Sequence, residues 1–250
     1  MLPRSQKPMI VALVAVLLPN PCWASASSSF PSSDDHGVSK IYHEQIAPTF
    51  DRSTDSTSVI LWSSGALAYF LVKSIDGDLK EQWQDHRQMS DLVARIGDRY
   101  VLYGFNIGIA LTQYFVDHDN GVSHIRALMF TGATTGLLKA SFRRQRPDES
   151  DHLSFPSGHT SSAFATATSL SMAYGWRAGV PAYSAAVLTG LSRMADNKHW
   201  ASDVVAGGFL GFIWGRAGFF NVGPADGKTQ TQILPIYENG FAGLELTRRF

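Results

Sequence analysis

The sequence places a histidine and a carboxylate where they could act together as a nucleophilic pair. His199 precedes Asp203 by four residues, and side chains at this spacing share one face of a helix that begins near His199. A carboxylate that holds one imidazole nitrogen as N–H leaves the other nitrogen with the lone pair that a nucleophile needs. A surface ion pair, which contributes roughly a few tenths of a kcal/mol, has the same spacing. The spacing of this pair alone therefore does not decide between a nucleophilic pair and a surface ion pair.

A second histidine follows a stretch that could bind an anion. His159 comes after Pro156, Ser157 and Gly158, at the start of a segment rich in small residues. Backbone amides at the start of a helix bind phosphate-like groups, and Gly158 would let such a group approach closely. An ordinary Ser/Thr helix cap predicts the same residue types. This stretch alone therefore does not decide between an anion-binding site and an ordinary helix cap.

Cationic residues cluster where an apolar, helix-like stretch ends. Lys139, Arg143, Arg144 and Arg146 precede Pro147, and a proline forces the chain out of a helix at about that point. Cations at a helix C-terminus are favourable because of the macrodipole. Taken alone, the cluster is best explained as a helix end, with Arg143 and Arg144 as solvated charges that contribute little.

Together, these segments resemble the three-part signature of the type 2 phosphatidic acid phosphatase and vanadium haloperoxidase superfamily. The resemblance covers roughly residues 125–215 and rests on the order and spacing of Lys139 with Arg146-Pro147, Pro156 to His159, and Ser192-Arg193 with His199 and Asp203. It implies that His199 is the nucleophile, that Asp203 orients it and that His159 is the general acid. It also implies a set of phosphate-binding groups: Lys139, Arg146, Arg193, Ser157 and the Gly158 amide.

The resemblance implies a metal-independent phosphomonoesterase that acts through a phosphohistidine on a small phosphate ester or a lipid phosphate. Positioned cations and amides can stabilise the transferring phosphoryl group without a metal ion, so no cofactor is expected and vanadate is expected to inhibit. Two alternatives stay open. One is a vanadium-dependent haloperoxidase, in which vanadate bound to His199 would be the cofactor. The other is a non-catalytic envelope binding protein.

Apolar stretches rich in small residues predict the elements that position these motifs. Their lengths and their few β-branched runs favour helices, and the resemblance implies an all-α helical bundle of the acid phosphatase and vanadium haloperoxidase type. A soluble bundle is favoured over six membrane spans, because most stretches are shorter than about 18 residues and the mean hydropathy is −0.05. Glycines 207, 208, 211 and 215 would let another helix approach closely. The stretches are Val59–Val72, Tyr100–Phe115, Ile125–Leu138, Thr160–Trp176, Ala182–Leu191 and Trp200–Phe220.

Composition along the chain predicts four segments. Residues 1–26 resemble a signal peptide, with an apolar run and a small-residue cleavage pattern, and residues 27–57 form a polar linker or loosely docked arm. Residues 58–221 form the helical phosphatase domain. Residues 222–250 form a tail, in which Asn239-Gly240 predicts the turn of a small β-hairpin.

Charge and localisation limit the partners. The chain has 21 basic and 21 acidic residues, so it lacks the broad positive field that nucleic-acid binding needs. The partner is predicted to be a phosphorylated small-molecule or lipid substrate. The predicted signal peptide indicates export, most simply to the periplasm, with contact to a membrane surface left open. The oligomeric state is not predicted.

Overall fold

The computed structural model describes residues 36–85, 105–220, 230–238 and 241–249. The predicted signal peptide, residues 1–26, lies outside this part of the chain. A π-helical turn, Tyr42–Ile46, joins the first two helices. The elements are α1 (His36–Ile41), α2 (Ala47–Ser53), α3 (Ser56–Lys73), α4 (Asp76–Asp85), α5 (Asn106–Val116), α6 (His118–Phe142), α7 (Gly158–Tyr174), α8 (Trp176–Ala195), α9 (Ala201–Gly218), β1 (Gln230–Glu238) and β2 (Phe241–Arg249).

The chain divides into two compact units, residues 1–47 and residues 48–250. In the first unit, α1 and the π-helical turn carry an exposed ion pair between Lys40 and Glu44, with 4.0 Å between Nζ and Oε1. The second unit contains the remaining helices and both strands. All three motifs lie in this second unit.

The structure confirms an all-α bundle with a small C-terminal hairpin. Three of the predicted apolar stretches lie wholly within helices. Thr160–Trp176 runs from α7 across Gly175 to the first residue of α8, and Trp200–Phe220 extends past both ends of α9. The stretch Tyr100–Phe115 begins before the described residues resume at Phe105. The two strands pair antiparallel, with Glu238 opposite Phe241. The helix ends follow local rules: the Asp55 side chain caps α3 by accepting from Ser58 N at 2.7 Å, as N-cap carboxylates do.

The end of the segment predicted as a loosely docked arm, from residue 48 onward, belongs to the second unit and is packed there. α2 brings Phe50 against the rings of Phe130 and Trp214, with centroid distances of 5.3 and 5.9 Å. The indole Nε1 of Trp62 donates to the Ser53 carbonyl oxygen at 2.9 Å. This packing was not predicted because the segment is mostly polar. The one aromatic ring of Phe50 packs this part of the predicted arm against the bundle.

Helix α9 lies at the centre of the bundle and packs against α7 more closely than side chains would allow. A Cβ added at Gly211 would lie 2.0 Å from the Ser161 carbonyl oxygen, and one at Gly207 would lie 2.6 Å from the Ser157 carbonyl oxygen. Gly215 continues the same face one turn later. The predicted close approach at glycines 207, 211 and 215 is confirmed, and it brings the starts of α7 and α9 together.

A single helix that spans a membrane must be both long enough and apolar enough to cross the hydrocarbon core. No single helix among the described residues satisfies both requirements. The segments Ser56–Lys73 and Asp76–Gln84 satisfy them only as a pair, and that pair is bent by 62°.

Candidate active site

The site lies where the end of α6, the start of α7, the end of α8 and the start of α9 meet. Ser157 N donates to the Asp203 carbonyl oxygen at 3.0 Å, which joins the start of α7 to α9. The loop between α8 and α9 folds back because Lys198 N and His199 N both donate to the Arg193 carbonyl oxygen, at 3.0 and 3.2 Å. These backbone hydrogen bonds bring the second and third predicted motifs together.

A backbone carbonyl fixes the tautomer of His199. The residue is buried, with 3% of its surface exposed, and Nδ1 lies 2.7 Å from the carbonyl oxygen of Ser154. Because a carbonyl oxygen only accepts, Nδ1 carries the proton and Nε2 carries the lone pair. Within the described part of the chain, no protein group hydrogen-bonds Nε2. This is the protonation pattern that a nucleophilic histidine requires.

Asp203 contacts the surroundings of the imidazole rather than the imidazole itself. The sequence predicted that His199 lies in the same helix as Asp203, one turn before it. α9 begins at Ala201, so His199 instead precedes the helix. Asp203 Oδ2 is 3.9 Å from His199 Nδ1, too far for a hydrogen bond. It accepts instead from Ser154 Oγ at 2.5 Å and from Trp200 N at 3.1 Å. The carboxylate thereby fixes Ser154, whose carbonyl oxygen fixes His199.

The surroundings of His199 keep its imidazole neutral. Burial lowers the pKa of His199 well below its ordinary value, and the nearby charges of Lys139 and Arg146 lower it further. The hydrogen bond to the Ser154 carbonyl opposes these effects, and the charge of His159 adds to them. His199 is therefore uncharged at neutral pH and keeps its lone pair on Nε2.

Two cations of the first motif lie close enough to His199 to affect its charge. Lys139 donates to the Leu153 carbonyl oxygen, and Arg146 donates from Nε to Asp151 Oδ1 at 2.7 Å. Burial, followed by the charge of Arg146, lowers the pKa of Lys139 to about 8. Lys139 therefore carries most of its charge at neutral pH and loses it in mildly alkaline solution.

Arg193 supplies a buried cation from the end of α8. Only 1% of the residue is exposed, and Nη2 donates to Asp196 Oδ2 at 2.6 Å. Its carbonyl oxygen also closes the loop that carries His199, as described above. Arg193 thus combines a buried positive charge with a structural role in the third motif.

The start of α7 has the predicted cap. Ser157 is fully buried, and its Oγ lies 2.9 Å from Thr160 Oγ1 and accepts from Thr160 N at 3.5 Å. The hydroxyl is therefore engaged in capping, as the ordinary cap interpretation requires. A Cβ added at Gly158 would lie 3.8 Å from Lys139 Cε, so the Gly158 backbone lies beside that lysine. His159 follows as the second residue of α7.

A buried ionic group behind His199 was not predicted from the sequence. Arg144, interpreted above as a solvated charge, donates from Nη1 to Asp203 Oδ1 at 2.6 Å and from Nη2 to Asp76 Oδ2 at 2.7 Å. Burial raises the pKa of Asp203, and the charge of Arg144 opposes this. The one sequence feature that could have indicated a role for Arg144 is its position two residues before Arg146, inside the first motif. For Asp76, 68 residues earlier, the local sequence has no such feature.

Among the described residues, no group of three or more His, Cys, Asp or Glu side chains is placed to hold a metal ion. The site is instead lined by cationic side chains and backbone amides. Groups of these kinds bind phosphate oxygens.

One segment of the chain matches a protein-family model. Residues 120–223 match the model of the PAP2 superfamily, and this segment contains all three motifs. Over this segment, the chain is similar to the PAP2 superfamily.

Three curated relatives are phosphatases by name. The chain is 41% identical over 102 residues to lipid A 1-phosphatase of Porphyromonas gingivalis, which covers 40% of this chain and 23% of that protein. It is 30% identical over 129 residues to the probable lipid phosphate phosphatase beta of Arabidopsis thaliana (37% and 61%). It is 33% identical over 89 residues to lipid A 4'-phosphatase of Helicobacter pylori (36% and 41%). The chain thus spans less than two thirds of the length of each relative.

Two solved structures are similar to this chain. One is Aquifex aeolicus LpxE, with a TM-score of 0.47 and 24% identity over 55% of this chain and 92% of that one. The other is the transmembrane PAP2-type phosphatidylglycerolphosphate phosphatase of Bacillus subtilis, with a TM-score of 0.49 and 21% identity over 61% and 90%.

Proposed function

We propose that this chain is a metal-independent phosphomonoesterase in which His199 forms a phosphohistidine intermediate. The observation that carries the proposal is the hydrogen bond from His199 Nδ1 to the Ser154 carbonyl oxygen, 2.7 Å long. It assigns the lone pair to Nε2, and burial with nearby cations keeps the ring neutral. A neutral, oriented imidazole inside a cationic pocket is suited to attack phosphorus.

In the first step, His199 Nε2 attacks phosphorus and the ester P–O bond breaks. The bonding electron pair goes to the leaving oxygen, and the protonated imidazole of His159 gives that oxygen a proton, which releases an alcohol. The positive charge on the phosphorylated ring is stabilised by the Ser154 carbonyl oxygen, which Asp203 holds through the Ser154 hydroxyl. Three cations neutralise the phosphoryl oxygens: Lys139, Arg146 and Arg193.

In the second step, water attacks the phosphoryl group and the N–P bond breaks. His159, now neutral, takes a proton from the water, so that inorganic phosphate leaves and both histidines return to their starting states. Charge neutralisation comes entirely from side chains and from the amides at the start of α7, so we propose that no metal or other cofactor takes part. Vanadate, which resembles phosphate, is expected to occupy the same pocket and inhibit.

We propose a lipid phosphate as the substrate in preference to a small soluble ester. The relatives named above include phosphatases of lipid A and of lipid phosphates. An open cleft is lined by Arg143, His152 and Leu153, and it adjoins the site because the Leu153 carbonyl oxygen accepts from Lys139. Leu153 is 45% exposed. A cleft that combines the cation Arg143 with an exposed apolar side chain suits a phosphate headgroup attached to acyl chains.

The outer surface supports the same substrate class, and with it a location at a membrane face. Large apolar side chains that are more than half exposed lie on α3, α5 and α8, and exposed apolar side chains that cluster mark sites of membrane or partner contact. We therefore propose that the exported protein works at a membrane surface in the periplasm. Examples are Leu67, Phe70 and Leu71 on α3, Phe115 and Val116 on α5, and Trp176 and Val180 on α8.

Phosphate release by the purified protein in EDTA tests this function. Wild type and His199→Ala are compared on p-nitrophenyl phosphate and on dispersed phosphatidic acid. We expect release that survives EDTA, is inhibited by vanadate, is faster on the lipid and is absent in the variant. Release that EDTA abolishes would contradict the metal-independent mechanism. If neither substrate is hydrolysed, halide oxidation after vanadate loading tests the haloperoxidase alternative, and binding without turnover points to the non-catalytic one.

A further inference from the structure

Asp76, the first residue of α4, is a buried carboxylate that lies outside the segment matching the family model. Only 6% of the residue is exposed. Oδ1 accepts from Ser202 N at 2.9 Å, while Oδ2 accepts from Ser202 Oγ at 2.5 Å and from Arg144 Nη2 at 2.7 Å. One side chain thus accepts from an N-terminal amide of α9, from a hydroxyl group and from one nitrogen of a guanidinium group.

From Asp76, a continuous chain of contacts leads to the nucleophile. Arg144 places Nη2 on Asp76 and Nη1 on Asp203 Oδ1, at 2.7 and 2.6 Å. Asp203 Oδ2 accepts from Ser154 Oγ at 2.5 Å, and the Ser154 carbonyl oxygen accepts from His199 Nδ1 at 2.7 Å. Four hydrogen bonds in series therefore join Asp76 to the imidazole of His199.

A second residue of α4 contacts the same two segments, the loop after α6 and the start of α9. Lys80, four residues after Asp76 and therefore on the same helix face, donates from Nζ to the Pro147 carbonyl oxygen at 2.8 Å. Its Nζ also lies 5.6 Å from the centroid of the Trp200 ring. α4 therefore connects the loop after α6 to the start of α9, the two segments that carry the first and third motifs.

We propose that Asp76 is a positioning residue for His199, acting through Arg144 and Asp203; this inference rests on the proposed function. Arg144 is shared between two carboxylates. When Asp76 loses its charge, Arg144 turns both of its amino groups towards Asp203 and draws that carboxylate away from Ser154 Oγ. The Ser154 carbonyl then no longer fixes Nδ1 as the protonated nitrogen of His199.

The substitution Asp76→Asn tests this mechanism because it keeps the shape of the side chain and removes its charge. Asp76 hydrogen-bonds Arg144 and Ser202 and none of the proposed phosphate-binding groups among the described residues. We therefore expect kcat to fall about 10- to 100-fold, the range for misplaced reacting groups, while KM changes less than about twofold. The matched control is Asp78→Asn, which removes the same charge two residues later on the exposed face of α4 and is expected to leave kcat unchanged.

A second readout does not depend on turnover. In protein labelled with nitrogen-15 at histidine, the NMR signals of each imidazole report which nitrogen carries the proton, and the His199→Ala variant assigns those of residue 199. Wild type and Asp78→Asn are expected to show His199 protonated on Nδ1. Asp76→Asn is expected to show a mixture of the two tautomers. A merely structural role for Asp76 would lower thermal stability without this change.

The two readouts separate this inference from the proposed function. If wild type hydrolyses neither test substrate and the tautomer still changes in Asp76→Asn, the phosphatase proposal fails and the positioning role stands. If kcat and the tautomer both remain as in wild type, or if KM rises while kcat is unchanged, the positioning role is wrong. Should Asp76→Asn not fold, Asp76→Glu, which keeps the charge but displaces it by one methylene, is measured in the same way, with the same criteria.

Discussion

Two buried histidines in this molecule have the same protonation pattern but different surroundings. His124, fully buried in α6, has Nδ1 2.5 Å from Gln113 Oε1 and Nε2 3.0 Å from Thr166 Oγ1. His199 has Nδ1 on a carbonyl oxygen, and no described protein group hydrogen-bonds its Nε2. Both rings are neutral at neutral pH, so burial and neutrality do not distinguish a reactive histidine from a structural one.

The difference lies in the second nitrogen and in the surrounding charge. Burial alone lowers the pKa of His124 to about 3, whereas the cations Lys139 and Arg146 help to lower the pKa of His199. At His124 both nitrogens are engaged, and its partner Gln113 continues the network to Tyr174 at 3.2 Å. A ring with both nitrogens bonded stabilises the core, while one with a lone pair directed among cations can attack an anionic phosphate.

Asp203→Asn is the sharpest test of this contrast, with the largest expected effect on turnover. The variant keeps the size of the side chain but loses the charge that binds Arg144 and the acceptor shared by Ser154 Oγ and Trp200 N. We expect kcat for phosphate release to fall by about 100-fold or more, as when an orienting carboxylate is lost.

The matched control is Asp117→Asn in the network of the other histidine. Asp117 Oδ2 accepts from Tyr174 OH at 3.3 Å and from Asn120 Nδ2 at 2.8 Å. We expect this variant to keep kcat within about twofold of wild type, because its network contains no proposed catalytic group. Equal losses of kcat in the two variants would remove the distinction between the two networks.

The alkaline side of the pH profile depends on Lys139. Since burial and Arg146 lower its pKa to about 8, the free enzyme loses this cation as the pH rises through that value. We expect kcat/KM to fall about tenfold per pH unit above about 8. Lys139→Arg should move this fall to higher pH, because a guanidinium group stays charged.

Lys198→Arg controls for a nearby lysine that pairs with Asp148 at 2.5 Å. This variant should leave the alkaline fall at about pH 8. A profile that Lys139→Arg does not shift would assign the fall to another group and would remove Lys139 from the charged pocket.

The smallest effect on turnover is expected for His124→Leu, which should instead lower stability. The variant leaves Gln113 Oε1 and Thr166 Oγ1 buried without their partner, which costs about 1–3 kcal/mol of unfolding free energy, while kcat stays within about twofold. Urea unfolding and phosphate release measure the two quantities. A loss of activity without a loss of stability would reverse the roles assigned to the two histidines.

His124→Leu should also reduce the pH dependence of stability. The folded-state pKa of about 3 lies below the ordinary value of about 6.5, so the unfolded chain binds the proton first as the pH falls. The stabilisation is present above about pH 6.5 and is lost towards pH 3, by about 1.4 kcal/mol per unit. The variant lacks this contribution, and an unchanged slope between about pH 6 and pH 4 would show that His124 is not buried in its neutral form.

The sequence predicted the helices and the motif residues because both depend on local spacing. The apolar stretches, the Asn-Gly turn and the spacing from Lys139 to Asp203 can each be read from neighbouring residues. The contact between Asp76 and Arg144 could not be predicted, because it joins residues 68 positions apart and Asp76 lies on a polar helix without an apolar period. The Ser154 carbonyl, which fixes His199, belongs to the backbone and has no sequence signature.

Trapping of the covalent intermediate tests the central claim most directly. Enzyme mixed with phosphorus-32-labelled substrate is quenched within milliseconds, and phosphoryl groups on the protein are counted and mapped by mass spectrometry. We predict an acid-labile, alkali-stable phosphoryl group on His199 that is present in His124→Leu and absent in His199→Ala. Substrate turnover by wild type with no phosphoryl group on the protein, or with one on a residue other than His199, would contradict the account.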